Sequence, residues 1–395
     1  MELTGLSVTV IGAGVAGLAV ATAFALRGAA VTVLEQADAI REVGAGLQIS
    51  PNGAVVLRAL GLAPALAAAS LRAEAVNLID GPTGASVARL DLLRLGLGQD
   101  YRFMHRADLI AVLEGAATKA GVTLRLLSRV TGVDLAAPRP VVTLEDGTRI
   151  ETALLIGADG LHSRTRAVLN GAAKPFFTGQ VAWRALVPAE PGILPEVEVH
   201  MGPGRHLVSY PLRGGTLRNI VAVEERTRWA EEGWTLRDDS IDLQMAFEGF
   251  SPKVRGWLDQ IEDPWLWGLF RHPVATSWGK AMPAGGVAIL GDAAHPMLPF
   301  LAQGATMGLE DAWVLVDALS RHADLALGLA AYQARRKPRA ARVVAAANGN
   351  ARAYHLSGAS RAIGHTGLRL LGRVAPGLLL SRYDWLYRHD VTATP

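Results

Sequence analysis

The sequence predicts an α/β fold. A parallel sheet wound with helices is interrupted by an inserted, mostly antiparallel β-sheet domain and followed by a helical C-terminal region. Three observations carry this reading. Apolar strands that end in glycine recur at 8–12, 154–157 and 287–291, each leading into a turn or helix start. From about 175 to 277 the pattern changes to alternating runs (Val197 to Met201, His206 to Pro211, Arg218 to Val223), the period of strands with unlike faces. Beyond 323 the chain is Ala/Arg-rich and reads as helix. The expected division gives 1–71, 101–174 and 278–322 to the wound domain, 72–100 and 175–277 to the second sheet, and 323–395 to the helical region.

The first unit is the most informative. Val8-Thr9-Val10-Ile11 runs into Gly12-Ala13-Gly14-Val15-Ala16-Gly17, a helical stretch follows to Arg27-Gly28, and a strand from Ala30 to Leu34 ends at Glu35. Strand, GxGxxG, helix, strand and acid in this order form the Rossmann-like dinucleotide fingerprint. Gly12 permits the tight turn, Gly14 lets backbone approach a pyrophosphate, and Gly17 lets the helix sit close to the sheet. The helix N-terminus offers free N–H groups to phosphates. Glu35, about twenty residues further on, is placed for a ribose diol.

Composition narrows the classes. The 395 residues are 50% hydrophobic, enough for a large core, and include no cysteine. Disulfides, iron–sulfur clusters, Cys-ligated zinc and thiol nucleophiles are thereby excluded. No His/Asp/Glu spacing demands a metal. The formal charge is +3 with arginines scattered along the chain, so no nucleic-acid stripe is expected. Residues 8–26 are uncharged, but their glycine pattern argues for a buried βα unit over a membrane span. Met1-Glu2-Leu3-Thr4 lacks the basic start of a signal peptide. The expectation is a cytoplasmic protein, monomer or homodimer, without stable membrane insertion.

Further along, 41–52 (REVGAGLQISPN) reads as an extended loop, with Asn52 capping a helix from Gly53 to Leu60. Residues 72–93 read as strands around a Gly-Pro-Thr-Gly turn, and His105-Arg106 opens a helix to Ala120. Val122 to Leu127 is the next strand, and a hairpin through Glu145-Asp146-Gly147 leads into Ala153 to Ile156. That last strand meets Gly157-Ala158-Asp159-Gly160, placing Asp159 at the carboxyl edge of a parallel sheet, where ligands of such sheets lie. Trp229, Trp234, Trp257, Trp265, Trp267 and Trp278 cluster around the second sheet, and core packing is their first reading. Val287 to Leu290 ends at Gly291-Asp292, and a long helix carrying Glu310 and Asp311 follows.

Three motifs stand in fixed order: GAGVAG at 12–17, GADGLHSRTR at 157–166 and GDAAHPMLPFLAQGATMGLEDA at 291–312. Together they resemble the class A, single-component FAD-dependent aromatic hydroxylases of the para-hydroxybenzoate hydroxylase fold. AHPMLPFLAQGA and the terminal WLYRHD point to the branch of 3-hydroxybenzoate 6-hydroxylase, 6-hydroxynicotinate 3-monooxygenase and salicylate hydroxylase. The resemblance implies FAD in the fingerprint. Gly12, Gly14, Ala16 and Gly17 would then hold the pyrophosphate, Glu35 the ribose, and Gly46 would lie along the cofactor. Arg106 would contact the pyrophosphate or ribityl region, Asp159 would sit between FAD and a passing NAD(P)H, and Asp292 would bind ribityl hydroxyls. Gly304 and Ala305 would present N–H groups to the flavin N1–O2 edge. Read without the resemblance, Asp159 is equally a helix N-cap and Asp292 a turn acid.

The activity implied is hydroxylation of a small aromatic or heteroaromatic substrate with NAD(P)H and O2, through a flavin C4a-hydroperoxide. His206 and Tyr210, four apart in one strand, face the same side, as does a similar pair in that branch, and a neutral imidazole suits removal of a phenolic proton. Arg184 is a candidate for a substrate carboxylate, or an ordinary surface arginine. Relatives can carry a polar residue after His-Pro. Here Pro299 and Phe300 stand there, near the substrate but unable to act as acid or base, so proton removal falls to His206 or water. His295 reads as structural support. Two alternatives remain open: a flavin-dependent reductase or oxidase without oxygen insertion, and a non-catalytic FAD-binding protein.

Overall fold

The computed structural model describes residues 1–40, 46–96, 98–172, 174–226 and 236–393, so the 41–45 part of the expected loop, Trp229 and Trp234 lie outside the described residues. Two large sheets organise the chain. The first has six strands in the order Gly279–Met282, Gly285–Ile289, Leu154–Gly157, Ser7–Ile11, Ala30–Leu34, Thr123–Arg125. All neighbours run parallel except Gly279–Met282, which closes one edge antiparallel. Helices cover one face, burying Val8, Val10, Leu154 and Ile156. A three-stranded antiparallel sheet of Val130–Asp134, Val141–Leu144 and Arg149–Glu151 packs on the other, over Ile11, Leu34, Leu155 and Val287. The strands are thus apolar on both sides, as a parallel sheet requires.

Small residues bring the layers close. A Cβ on Gly17 would lie 2.0 Å from the Gly12 carbonyl oxygen, and one on Gly308 would lie 2.9 Å from Ala16 Cβ. Helices Val15–Ala25 and Gly304–Arg321 therefore pack at glycine distance. Where the sequence suggests Asn52 as a helix cap, the helix is Pro51–Ala59 with Ser50 at its N-cap. Pro51 fixes the first turn, so Asn52 falls inside the helix and is buried. The GLQI segment of the expected loop, Gly46–Ile49, is instead a strand paired antiparallel to Arg102–His105. The strand expected over 122–127 is shorter, Thr123–Arg125.

The second sheet has seven strands in the order Trp265–Arg271, Phe176–Pro188, Leu217–Glu225, Arg205–Leu212, Glu196–Gly202, Ala75–Asp80, Ser86–Asp91. It is antiparallel apart from the pairing of Glu196–Gly202 with Ala75–Asp80. One face buries Val181, Trp183, Leu207, Ile220 and Ala222 against helices Ser240–Ala246 and Pro252–Leu258, with Trp257 in that core. The other face carries Ala182, Val223 and Trp267 and packs against Leu298 and Phe300. The loop after Gly291-Asp292 thus sits over this second face of the sheet.

Helix Leu325–Tyr354 is pinned to helix Gly304–Arg321 by a buried ionic cluster. Arg336 Nε donates to Asp311 Oδ1 at 2.7 Å, and its Nη1 reaches Glu310. Arg339 donates to both Glu310 oxygens at 2.7 and 2.8 Å, and Asn52 Nδ2 to Glu310 at 2.6 Å. Asp311 Oδ2 accepts from the Gly291 N–H at 3.0 Å and from His295 Nε2. Burial alone would push both carboxyls up, but Arg336 with Arg339, or with His295, reverses this and holds both below the usual range. Their stabilising contribution is thus present above the ordinary carboxylate range and is lost as pH falls through the lowered values. No helix among the described residues is long and apolar enough to cross a membrane.

Removing one partner of such a cluster leaves buried charge uncompensated. Arg336→Met is expected to lower unfolding stability by about 3–5 kcal/mol, measured as a drop in the urea midpoint. An unchanged midpoint would show that the cluster does not hold the two helices together.

Candidate active site

Three loops meet at the carboxyl edge of the six-stranded sheet. Gly12 has φ +98°, and a Cβ there would lie 2.5 Å from the Ala158 carbonyl oxygen, so the first glycine loop lies directly on the Gly-Ala-Asp-Gly turn. Gly291 approaches Ala16 in the same way, at 3.1 Å. Glu35 stands beside the glycine loop, accepting from the Ala13 N–H at 2.9 Å and the Ala37 N–H at 3.0 Å. Asp159 uses both carboxylate oxygens within its own turn. It accepts from Ser163 Oγ at 2.5 Å and from Thr165 N–H and Oγ1 at 3.1 Å each. Ser163, not Asp159, is the N-cap of helix Arg164–Asn170.

Space for a cofactor opens between these loops. A Cβ on Gly14 or on Gly304 would meet no atom within 4 Å. Helix Gly304–Arg321 begins there without a capping side chain, leaving its first N–H groups, those of Gly304 and Ala305 among them, without intrahelical acceptors. Thr306 Oγ1, in the same first turn, is buried and has no hydrogen-bond partner among the described residues. Asp292 is exposed at this edge and acts electrostatically on Arg106, which opens helix Arg106–Lys119. Burial lowers the Arg106 guanidinium and Asp292 opposes that shift. Exposed glycine backbone, an uncapped helix N-terminus, an unpartnered hydroxyl and a buried cation fit an anionic flavin dinucleotide.

The other candidate residues Arg184, His206 and Tyr210 lie on the second sheet. Strand register aligns Ala182 with Val223 and His206, Arg184 with Val221, and Tyr210 with Asn219. Because side chains alternate, Arg184, His206, Tyr210 and Asn219 share the face that meets Phe300. His206 is 2% exposed, its ring centroid 5.5 Å from Phe300 and 5.1 Å from Tyr354. Burial, reinforced by the neighbouring His355, lowers its pKa well below the usual histidine value, so the imidazole is neutral. Its Nδ1 meets His355 Nε2 at 2.7 Å, which leaves Nε2 for a ligand.

Tyr210 packs 5.2 Å from Phe103 and within hydrogen-bonding reach of Gln48. Burial pushes its phenol up despite Arg184 and Gln48, so it is a donor rather than a base. The Arg184 guanidinium lies 4.6 Å from the centre of the Trp267 ring. Burial lowers it to about 10, Tyr210 acting against and Arg106 with that shift; it stays charged at neutral pH. Pro299 and Phe300 form a short 3-10 turn, Pro299–Leu301, and Asn350 Nδ2 donates to the Phe300 carbonyl at 3.2 Å. His295 is fully buried, packed at a tilt against Trp278 with ring centroids 5.2 Å apart and bonded to Asp311, which makes it a structural support.

The structure also brings Asn219 and His355, which the sequence did not single out, beside the predicted residues. Gly46, expected along the cofactor, sits under the ring site: a Cβ there would lie 2.8 Å from Tyr210 and 2.9 Å from Asn219. Asn219 Oδ1 accepts from the Gly46 N–H at 2.8 Å, while its buried Nδ2 has no partner. His355 follows the end of a thirty-residue helix, and no local pattern ties it to His206. Alternation along 217–225 was the one signal for Asn219, since it places that residue on the same face as Val221 and Val223.

Comparison with known proteins identifies the family. A family model described as an FAD binding domain matches residues 5–232 and 259–347. A 3-amino-4-hydroxybenzoate 2-monooxygenase from Streptomyces platensis is 35% identical, the match covering 96% of this chain and 95% of that one. A 3-hydroxybenzoate 6-hydroxylase from Klebsiella oxytoca is 33% identical, with 90% of each chain covered. A solved salicylate hydroxylase substrate complex superposes with a TM-score of 0.80 over 98% of this chain and 96% of that one, at 24% identity. On the family match and these relatives, the chain belongs to the FAD-dependent aromatic hydroxylase family, enzymes of the monooxygenase class.

Proposed function

We propose that the protein hydroxylates a small aromatic or heteroaromatic phenol carrying a carboxylate, using NAD(P)H and O2. The observation that carries this reading is the convergence of one cation, one neutral imidazole and one neutral phenol on a single sheet face. Arg184, His206 and Tyr210 share it, roofed by Phe300 and the loop that leads to the flavin-facing helix. When bound, FAD supplies the redox chemistry that activates O2, and the chain holds it. Gly12, Gly14, Ala16 and Gly17 take the pyrophosphate with Arg106, Glu35 the ribose and Asp292 the ribityl chain. Gly304 and Ala305 present the helix N-terminus to the electron-rich edge of the reduced ring, worth about 0.3–2 kcal/mol. Asp159 shapes the turn where NAD(P)H would approach.

Arg184 fixes the carboxylate, with its guanidinium plane held by Trp267. Tyr210 and the Asn219 amide donate to ring substituents. His206 Nε2 takes the proton of the ring hydroxyl, which raises electron density at the carbon to be hydroxylated. Phe300 and Leu298 exclude water from the ring.

The deciding experiment is anaerobic reduction of the holoenzyme by NADH and NADPH, with and without hydroxybenzoates, aminohydroxybenzoates and hydroxypyridines. Strong acceleration by one compound, with a product that gains one oxygen in air, is the expected result. O2 consumption or flavin turnover without oxygen in the product would indicate a reductase or oxidase, and no ligand-stimulated turnover a binding protein. Arg184→Met is expected to raise KM for a carboxylated substrate about 10- to 100-fold, the loss of a charged hydrogen bond. An unchanged KM would remove Arg184 from the site.

His206→Gln is expected to lower kcat/KM about 10²- to 10⁴-fold. In the wild type, the acid limb due to His206 should lie below its ordinary value of 6.5, since protonation, which abolishes the base, is displaced to lower pH. A limb at or above that value would contradict the burial argument.

A further inference from the structure

His206 is not an isolated base. Its Nδ1 lies 2.7 Å from His355 Nε2, and His355 Nδ1 lies 2.7 Å from Glu225 Oε1. The three side chains form one line from the ring site outward, and their exposure rises along it. His206 is 2% exposed, the His355 side chain 3% and the Glu225 side chain 53%. Three separate elements supply them: strand Arg205–Leu212, the end of helix Leu325–Tyr354 and strand Leu217–Glu225. The backbone fixes the junction, with the Gly204 N–H donating to the His355 carbonyl at 3.3 Å and the Glu225 N–H to the Gly204 carbonyl at 2.8 Å.

The donors along this line have only one consistent order. An ionised carboxylate accepts only, so Glu225 requires a proton on His355 Nδ1. A neutral His355 then presents a lone pair at Nε2, which requires the proton of His206 on Nδ1. The lone pair of His206 is thereby placed on Nε2, the nitrogen available to substrate. A surface carboxylate thus sets the tautomer of a buried base through an intervening imidazole.

We propose that His206, His355 and Glu225 form a proton relay that carries the proton of the substrate's ring hydroxyl from the buried site to solvent. This rests on the reading of His206 as the base. As the substrate O–H bond breaks, an N–H bond forms at His206 Nε2. The Nδ1 proton of His206 passes to His355 Nε2, and the Nδ1 proton of His355 passes to Glu225 and on to water. One proton leaves the protein and the substrate is left as its phenolate, so charge balances. A proton returned along the same path to the product's oxygen restores both tautomers. The surrounding charged and titratable groups are few. Tyr354, whose phenol burial pushes up, faces His206, and Arg205 acts electrostatically on His355. Arg205 is itself paired to Glu224 at 3.6 Å. His355 and Glu225 are positioning residues here, and only His206 touches substrate.

The test is proton release to a pH-indicator dye when holoenzyme is mixed with the phenolic acid that most accelerates its reduction, 3-amino-4-hydroxybenzoate and 3-hydroxybenzoate being tried first. Glu225→Gln and His355→Gln are expected to slow release and phenolate formation at least about tenfold, with flavin content and ligand Kd near wild type. Glu225→Asp should restore most of the rate. A nitrophenolic analogue already ionised in solution should show no defect in any variant, which a merely structural role would not explain. Wild-type release rates in both Gln variants, or an equal defect with the ionised analogue, would overturn the relay. If His206→Gln slows release while those two do not, the base assignment stands and only the relay falls. If wild-type enzyme binds no phenolic acid, or binds one without releasing a proton, the base assignment falls and the relay with it.

Discussion

Two carboxylates and one guanidinium, all out of contact with water, hold the catalytic half of this molecule in place. Glu310 and Asp311 are consecutive, so on a helix they point about a quarter turn apart, and Arg336 spans both. Through Asp311 the cluster reaches the Gly291 amide and His295, which bracket the Asp292 turn. Through Glu310 it reaches Asn52 and Arg339, and Arg339 also donates to the Trp385 and Leu386 carbonyls near the C-terminus. Charges buried this deeply tolerate little displacement, because each lost partner exposes the rest to a low-dielectric interior. Helix Gly304–Arg321 is fixed in this way at its second turn, and its first turn is the one proposed to meet the flavin. The helix end that must meet a negative charge is therefore anchored from behind by charges of its own.

That anchoring sets the distance between two unlike halves of the site. The six-stranded sheet supplies loops and backbone N–H groups, whereas the seven-stranded sheet supplies side chains. They meet through the loop at 295–303, which is bonded to the cluster at His295 and packed on the second sheet by Leu298 and Phe300. Ala302, in the left-handed region at φ 52°, turns the chain from this loop into the helix. A non-glycine residue there costs roughly a kcal/mol or more, offset by the packing on both sides.

Much of this architecture was legible in the sequence, for identifiable reasons. Glycine spacing in GAGVAG and its flanking strands is a local constraint, written within forty residues, and the observed strand and helix follow it closely. The pairing of His206 with Tyr210 on one face needed only the two-residue period of a strand. What escaped was non-local. His355 is separated from His206 by 149 positions, and nothing around it marks it as a partner. Glu310 and Asp311 were visible as helix residues, but their partners in Arg336, Arg339 and Asn52 come from three other segments. Asn52 itself misled, because its side chain is a good cap and only tertiary packing turns it inward toward Glu310. The loop reading of Gly46–Ile49 failed for a similar reason: Gly46 marks close approach to Tyr210 and Asn219, where the sequence suggests a break in structure.

The alternation of the second sheet has a consequence for how such an enzyme changes over time. Along 205–212 and 217–225, neighbouring residues fall on different faces: His206, Tyr210, Asn219 and Val221 share the face that meets Phe300, proposed to hold the ring, while Leu207, Ile220 and Ala222 lie in the core beneath helices Ser240–Ala246 and Pro252–Leu258. A substitution on the first set alters the shape and polarity seen by a ligand and leaves the second set's packing in place. The sheet thus places the residues available to a ligand and those packed on the two helices on opposite faces, although both sets are largely buried. A change of side chain at an alternate position therefore reshapes one face of the sheet and leaves the identity of the residues on the other untouched.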